Sequence, residues 1–336
     1  MNILVTGAAG FIGAALSERL LQRGDEVLGV DNLNDYYDVR LKRDRLARLH
    51  GHPGFEFAQV NIADRAAMAG LFERRRPARV AHLAAQAGVR HSIAHPQAYV
   101  DSNLVGFANV LEGCRHAAVE HLVFASSSSV YGANTHMPFA EHDAADHPLS
   151  LYGASKKANE AMAHAYAHLY RLPATGLRFF TVYGPWGRPD MAPMTFARRI
   201  LAGEAIDVFN EGRHERDFTY IDDVVEGVAR VLDTPARPDP AWSGERPDPA
   251  SSLAPYRLYN IGNQHPVPLL RFISMLEQGL GRESVKHFLP LQPGDVPVTH
   301  ADVSALKAAI GYAPSTPLEE GVARFVDWYV SYYGKR

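Results

Sequence analysis

Asn2-Ile3-Leu4-Val5-Thr6 runs directly into Gly7-Ala8-Ala9-Gly10-Phe11-Ile12-Gly13, and the reading of this stretch decides the fold. Its first five residues form an apolar run of strand length. Glycines then recur at every third position, and Phe11, Ile12, Leu16 and Leu20 follow at helical spacing. A chain that passes from strand to helix this abruptly needs glycine in the turn. The same turn brings free amide N–H groups and the positive end of a helix dipole to where a pyrophosphate can bind. The strand–turn–helix context separates this stretch from a chance glycine triplet or an ordinary turn. Asp31 ends the next apolar run, 18 residues beyond Gly13. A carboxylate there binds ribose hydroxyls and repels a 2′-phosphate, so NAD rather than NADP is the expected dinucleotide.

Working outward, strand patterns are predicted over Asn2–Thr6, Glu26–Val30, Phe55–Val60, Arg79–Ala84, His121–Ser126 and Ala174–Phe179, each apolar enough to be buried on both faces. Helix-length stretches lie between them, as with Val100, Leu104, Phe107 and Leu111. Such alternation predicts an α/β fold, a doubly wound parallel sheet of the Rossmann type. After Tyr183 the rhythm breaks at Pro185, Pro189 and Pro193. Helices are then expected near 195–202, 222–232 and 318–332, with a strand near 207–210, giving a smaller mixed α/β lobe. Six prolines between Pro235 and Pro255 predict a solvent loop.

Among 336 residues, 46% are hydrophobic and 21% charged, enough to build a large core. The formal net charge of -3 gives no electrostatic reason to expect nucleic acid or an anionic membrane as partner. No run approaches the roughly 18 to 20 apolar residues of a membrane span. The N-terminus lacks a basic leader, so no signal peptide is expected and the compartment is taken as cytoplasmic. Cys114 is the single cysteine, which excludes an intrachain disulfide and a cysteine-based zinc site. His91 and His95, and His164 and His168, stand four apart, but the second pair lacks the glutamate of a metalloprotease helix. No metal is expected.

Two further stretches carry chemistry. Ser150-Leu151-Tyr152-Gly153-Ala154-Ser155-Lys156 opens a long helical pattern and puts Tyr152 and Lys156 on one face. A phenol is a poor base at neutral pH, and a neighbouring ammonium together with a cationic nicotinamide ring should lower its pKa. Tyr152 then acts as a general base toward a sugar hydroxyl. Ser126-Ser127-Ser128-Ser129-Val130-Tyr131-Gly132 closes the fifth strand and supplies hydroxyls to the same end of the sheet.

The glycine turn, the Ser126–Gly132 run, the Tyr152–Lys156 motif and Arg178-Phe179-Phe180-Thr181-Val182-Tyr183-Gly184-Pro185 together resemble the extended short-chain dehydrogenase/reductases. More narrowly, the chain is similar to the nucleotide-sugar epimerases, and among them to the UDP-glucuronate 4-epimerases, from Met1 to about Tyr332. The resemblance implies an NAD-binding domain over 1–180, with returning segments near 219–232 and 257–263, and a mainly UDP-sugar-binding lobe over 181–336. It implies NAD contacts from Gly7, Gly10, Phe11, Ile12, Gly13, Asp31, Asn32, Asn61, Ile62, Leu83, Ala84, Ala85, Asn103, Ser126, Tyr152 and Lys156. It also implies a homodimer built from helices around 100–115 and 153–170.

Relatives of this kind oxidise C4 of the sugar and differ in the fate of the 4-keto intermediate. Dehydratases carry an Asp-Glu pair where Ser128 and Ser129 stand, and decarboxylases a glutamate at the second place; neither serine titrates near neutral pH. The resemblance therefore implies epimerisation, with Tyr152, Lys156, Ser127, Ser128 and Ser129 as the catalytic group. Thr181 and the segment Pro185-Trp186-Gly187-Arg188-Pro189-Asp190 match the glucuronate enzymes, and Arg188 offers a planar fork to a carboxylate. Ser127, Ser128, Thr181 and Arg188 are expected to hold that carboxylate away from the alignment that releases carbon dioxide. Arg216 matches a diphosphate ligand, Asp295 a ribose contact, and Arg90 a sugar or phosphate contact. The other readings are a 4-epimerase of a neutral UDP-hexose, a UDP-glucuronate decarboxylase, and an NAD-sensing regulator without activity. If the clamp is right, Arg188→Ala and Thr181→Ala each weaken binding of UDP-glucuronate or raise the pentose by-product, measured by NMR of the reaction mixture.

Overall fold

The computed structural model describes residues 1–334; Lys335 and Arg336, at the end of the expected second lobe, lie outside them. In chain order the strands are β1 (Asn2–Thr6), β2 (Glu26–Asp31), β3 (Phe55–Gln59), β4 (Arg79–His82), β5 (His121–Ser127), β6 (Ala174–Phe179), β7 (Thr181–Tyr183), β8 (Ile206–Phe209), β9 (Glu215–Tyr220), β10 (Tyr256–Ile261), β11 (Pro266–Pro268) and β12 (Lys286–Leu289). Seven of them form one sheet in the order β3-β2-β1-β4-β5-β6-β10. Every neighbouring pair in it is parallel. The fold is the doubly wound α/β sheet that the sequence pattern implies.

The apolar runs read as continuous because the sheet is covered twice. Ile3 and Val5 of β1 join Val123 of β5 and the helices Phe11–Gln22 and Ile221–Leu232 in one core. Leu4, Leu122 and Phe124 face the other way, into a second core with the helices Arg65–Arg75, Phe107–Ala117 and Leu151–Tyr170. Strand order reverses between β1 and β4, which opens a crevice at their carboxyl ends.

Three local expectations are corrected. β3 is the sheet edge, so its residues are half-buried or exposed and pairing stops at Gln59 rather than Val60. β4 ends at His82, two residues early, because the amides of Leu83 and Ala84 turn to donate to Thr6 Oγ1 at 3.2 and 3.1 Å. The helix expected through Val100 to Leu111 is interrupted: Val100–Gly106 is π-wound, which turns Asn103 inward, and α-helix resumes at Phe107.

Past β6 the chain builds two small sheets, β11-β9-β7 and β12-β8. Asp217 of β9 ties the first of these to the segment that follows β10 of the large sheet. Its carboxylate accepts from the amides of Asn263 (2.6 Å), Gln264 (3.0 Å) and Ala301 (3.0 Å), and these bonds oppose the burial that pushes its pKa up. The proline-rich loop forms no helix, yet it is tethered. Asp248 accepts from Ala250 N at 2.9 Å, Ser251 Oγ at 2.7 Å and His142 Nδ1 at 2.8 Å.

Buried histidines give the fold a pH dependence: His82 and His121 in the large sheet, and His214 in the second lobe, are all pushed down. Thr6 Oγ1 already accepts two amides, so its own proton goes to His82 Nδ1, 2.8 Å away, and that nitrogen must stay unprotonated. Burial pushes His82 from its ordinary 6.5 down to about 3, with the Lys156 charge adding to the shift. Burial likewise pushes His121 down to about 4. The unfolded chain therefore binds protons that the folded one refuses, and stability is lost as pH falls below about 6.5. Each histidine contributes at most about 1.4 kcal/mol per pH unit within that window. Urea denaturation from pH 7 downward should show the decline, and His121→Gln should flatten it.

Candidate active site

A cavity of about 780 Å³ opens at the carboxyl ends of β1, β4 and β5 and reaches into the second lobe. The glycine turn forms one wall. Gly7 has φ +74°, and a Cβ on Gly13 would fall 2.0 Å from Gly7 O, so the first helix begins hard against the end of β1. Phe11, Ile12, Asn32, Asn61, Ile62, Leu83, Ala84 and Ala85 continue the wall, with Ser126, Tyr152 and Lys156 further on. Asp31 also lines it. One Asp31 oxygen accepts from Ala9 N (3.2 Å) and the other from Leu33 N (2.8 Å), which fixes the turn and the loop after β2 together. A turn with no side chain larger than a methyl, at a helix N-terminus with a carboxylate beside it, fits a dinucleotide.

Asn103 is the exception among the expected cofactor contacts. It does not line the cavity. Its Oδ1 accepts from Gln86 N (2.8 Å), and its Nδ2 donates to Gln86 O (3.0 Å) and Ser155 Oγ (2.9 Å). The π-wound segment thus spends this amide as a staple between the loop after β4 and the Leu151–Tyr170 helix.

That helix starts where Ser150 caps it, Oγ accepting from Gly153 N at 3.0 Å. A Cβ on Gly153 would lie 2.6 Å from Ser129 O, so the first turn rests directly on the serine run. This contact brings Tyr152 close enough to Ser127 for the serine hydroxyl to favour the ionised phenol. Lys156 Nζ donates to Ala125 O at 2.8 Å, and burial lowers its pKa to about 8, leaving it protonated at neutral pH. The Tyr152 phenol departs from expectation. Its pKa is raised, because burial outweighs the lowering by the Ser127 hydrogen bond and the Arg188 charge; Asp190 raises it further. A phenolate in this pocket needs more positive charge than the protein alone places next to it.

Glu160 lies one further turn along the same face, and sequence reading missed its role. Arg178 of β6 donates to it through Nε (2.8 Å) and Nη2 (2.9 Å), and Ser126 Oγ donates at 2.6 Å. Both charged side chains are at most 3% exposed. The Arg178 guanidinium also lies over the Tyr131 ring, 4.8 Å from its centroid.

The expected substrate residues reach the same cavity, but several are already engaged. Ser127, Ser128, Ser129 and Thr181 line it between the phenol and β7. Arg188 donates from Nε to Asp190 Oδ1 (3.0 Å) and from Nη2 to Asp190 Oδ2 (2.5 Å). Arg90 and Asp295, expected to meet a ligand separately, are paired with each other at 3.3 Å. Arg90 also lies over the Phe209 ring. Arg216 donates to the carbonyls of Glu215 (3.0 Å) and Pro297 (2.9 Å); burial, with the Arg216 charge adding to it, pushes His214 down to about 4. Arg45 is a second missed residue, fully buried. It donates to the carbonyls of Ala9 (3.0 Å), Trp186 (2.6 Å) and Gly187 (3.1 Å), joining the glycine turn to the loop that carries Arg188. Among the described residues no group of three or more His, Cys, Asp or Glu side chains could hold a metal.

A family model described as NAD dependent epimerase/dehydratase matches residues 3–262. "Protein CapI" of Staphylococcus aureus is 54% identical over 335 residues, covering 100% of both chains. "Probable UDP-glucuronate 4-epimerase" of Rhizobium meliloti is 49% identical, covering 99% of this chain and 98% of its own. A crystal structure of the UDP-glucuronic acid 4-epimerase of Bacillus cereus, in complex with UDP-glucuronic acid and NAD, superposes with a TM-score of 0.88 at 33% identity. The match covers 99% of this chain and 100% of that one.

The buried pair behind the helix has a measurable signature. Glu160→Ala strands the Arg178 charge and should destabilise the fold by about 3–5 kcal/mol. Adding Arg178→Met should restore a large part of that loss, as urea unfolding midpoints of the single and double variants will show.

Proposed function

The chain belongs to the NAD dependent epimerase/dehydratase family, and on that premise we propose that it inverts C4 of UDP-glucuronate, giving UDP-galacturonate with the carboxyl group retained. The observation that carries this reading is the joint placement of the Tyr152–Ser127 pair and Arg188 in one cavity, with the Arg188 charge acting on the same phenol. In a uronate the carboxyl-bearing carbon neighbours C4, so base and anion fork need to stand this close.

Gly7, Gly10, Phe11, Ile12, Gly13, Asp31, Asn32, Asn61, Ile62, Leu83, Ala84, Ala85 and Lys156 would hold NAD, which when bound supplies a reversible hydride acceptor. Tyr152 takes the proton of the C4 hydroxyl and, once the sugar has turned its other face toward the nicotinamide site so that the hydride can return to the opposite face of C4, gives the proton back to the C4 oxygen. Ser127 holds the phenol oxygen, and the protonated Lys156 on the next turn favours its ionised form. The 4-keto uronate formed between these events is a β-keto acid and loses carbon dioxide if its carboxylate aligns with the carbonyl π system. Arg188 grips that carboxylate, with Thr181, Ser127 and Ser128 around it, and holds it out of alignment. Serines at 128 and 129 provide no titratable group to drive elimination. At the far end Arg216 and Arg90 meet the diphosphate, and Asp295 the ribose of UDP.

The large sheet, over 1–180 with the returning segments 219–232 and 257–263, serves as the NAD-binding domain, and 181–336 mainly as the sugar-nucleotide lobe. We further read the protein as a cytoplasmic homodimer. Val105, Leu169 and Tyr170 leave apolar surface exposed on the helices expected to pair, and Cys114 is buried and unpaired.

NMR of UDP-glucuronate incubated with the protein should show the galacto isomer and little pentose. Tyr152→Phe should lower the rate by at least about 100-fold while leaving the cofactor bound. Full activity in that variant, or pentose as the main product, would overturn the assignment.

A further inference from the structure

Arg188 does not enter the cavity as a free cation. It is held side-on: Asp190 takes the Nε and Nη2 protons on one edge of the guanidinium. That leaves Nη1 and the second Nη2 proton for the opposite edge, with the Tyr36 hydroxyl also near enough to interact with the guanidinium. Asp190 is itself held from the cofactor side, where Tyr36 Oη, on the loop after β2, donates to Asp190 Oδ2 at 3.1 Å. The Tyr36 ring stands edge-on against His91, with centroids 4.7 Å apart. A chain of contacts therefore runs from the loop after β4, through Tyr36 and Asp190, to the fork. Tyr36, His91, Arg188 and Asp190 all line the cavity.

We propose that Asp190 is a positioning residue that aims Arg188 at the carboxylate of the sugar, with Tyr36 locking Asp190 in place. The inference rests on the reading of the substrate as a uronate and names what makes the site selective for it. A guanidinium has two edges able to bind a carboxylate in parallel hydrogen bonds, on a long side chain with many rotamers. Occupying the Nε edge with a resident carboxylate fixes the plane and leaves the end-on edge for the ligand. The resident carboxylate also offsets the cation, so the cavity need not hold an isolated charge before substrate arrives. A neutral sugar, with a hydroxymethyl group at this position, has no use for the second edge. Asp190 should therefore matter to one substrate class and not the other.

A purely structural role makes the opposite prediction. Asp190 lies just ahead of the Ala192–Ala202 helix, where a carboxylate favours the helix dipole. Loss of that effect would loosen the loop for every ligand.

The test is calorimetric titration of the holoenzyme with UDP-glucuronate and with UDP-glucose, for wild type, Asp190→Ala, Asp190→Asn and Tyr36→Phe, together with the pentose fraction formed from UDP-glucuronate. Asp190→Ala should weaken UDP-glucuronate by about tenfold and UDP-glucose by no more than about twofold, as loss of one charge-assisted contact implies. Its pentose fraction should rise. Asp190→Asn, which keeps one acceptor for Nε, should recover part of the affinity, and Tyr36→Phe should shift both readouts in the direction of Asp190→Ala by a smaller factor. Equal weakening of both sugars by Asp190→Ala would overturn the inference in favour of a loop effect, and so would unchanged UDP-glucuronate affinity. A wild type that itself fails to prefer UDP-glucuronate would overturn the uronate reading and this inference together. A wild type that prefers it, with Asp190→Ala unaffected, overturns this inference alone.

Discussion

Geometry at the site depends on a buried knot of charge behind it. Arg178 on β6, Glu160 on the Leu151–Tyr170 helix and Ser126 at the end of β5 are joined by three hydrogen bonds of 2.6 to 2.9 Å. A helix packed on a sheet by apolar contacts alone can roll or slide by a fraction of a turn at little energy. A bidentate ion pair with no water to replace it cannot. Its net contribution to stability is small once desolvation is counted, but its directional demand is large. Tyr152 and Lys156 precede Glu160 by whole multiples of four residues, so fixing Glu160 fixes the face that carries them. Lys156 in turn spends a proton on the carbonyl of Ala125, the residue before Ser126.

The cavity follows a consistent electrostatic plan. Among the arginines that line it, Arg188 and Arg90 arrive with resident carboxylates, Asp190 and Asp295, while Arg216 is held by the carbonyls of Glu215 and Pro297. At these two arginines an anionic ligand must therefore match or displace contacts that already exist. Such competition favours ligands whose several anionic groups are spaced to meet both arginines at once. A lone anion gains from only one of them. The raised pKa of Tyr152 belongs to the same plan, because burial keeps the phenol neutral unless further positive charge is brought beside it.

Binding regions that lie far apart in sequence are held in register by backbone-directed contacts. Arg45 reaches the carbonyls of Ala9, Trp186 and Gly187 and pairs with no carboxylate among the described residues, so the turn after β1 and the loop before the Ala192–Ala202 helix share one rigid support. Trp186, held at φ +66° on that loop, packs against Trp328 and Tyr332 of the last helix. Asp217 performs the equivalent task for the β11-β9-β7 sheet, through three backbone amides.

Local chemistry made the fold class, the glycine turn, the Tyr152–Lys156 face and the serine run legible from the chain alone. Each of these is a short-range pattern: a strand apolar on both sides, a turn with no room for Cβ, a spacing of four on a helix. Strand ends were legible only approximately, since β4 stops where Thr6, a residue of another strand, captures the amides of Leu83 and Ala84. Asn103 read as a ligand contact and is a staple, because a π-wound turn that no periodicity announces swings it toward Gln86. Arg45 sits among Lys42, Arg43, Asp44 and Arg48, where any arginine looks like a solvated surface charge, and only packing shows it to be buried. Which arginine pairs with which carboxylate was likewise undecidable beforehand. Arg90 and Asp295 are more than two hundred residues apart, as are Glu226 and Arg19, and Coulomb's law acts on distance in space, which the order of residues does not contain until the chain has folded.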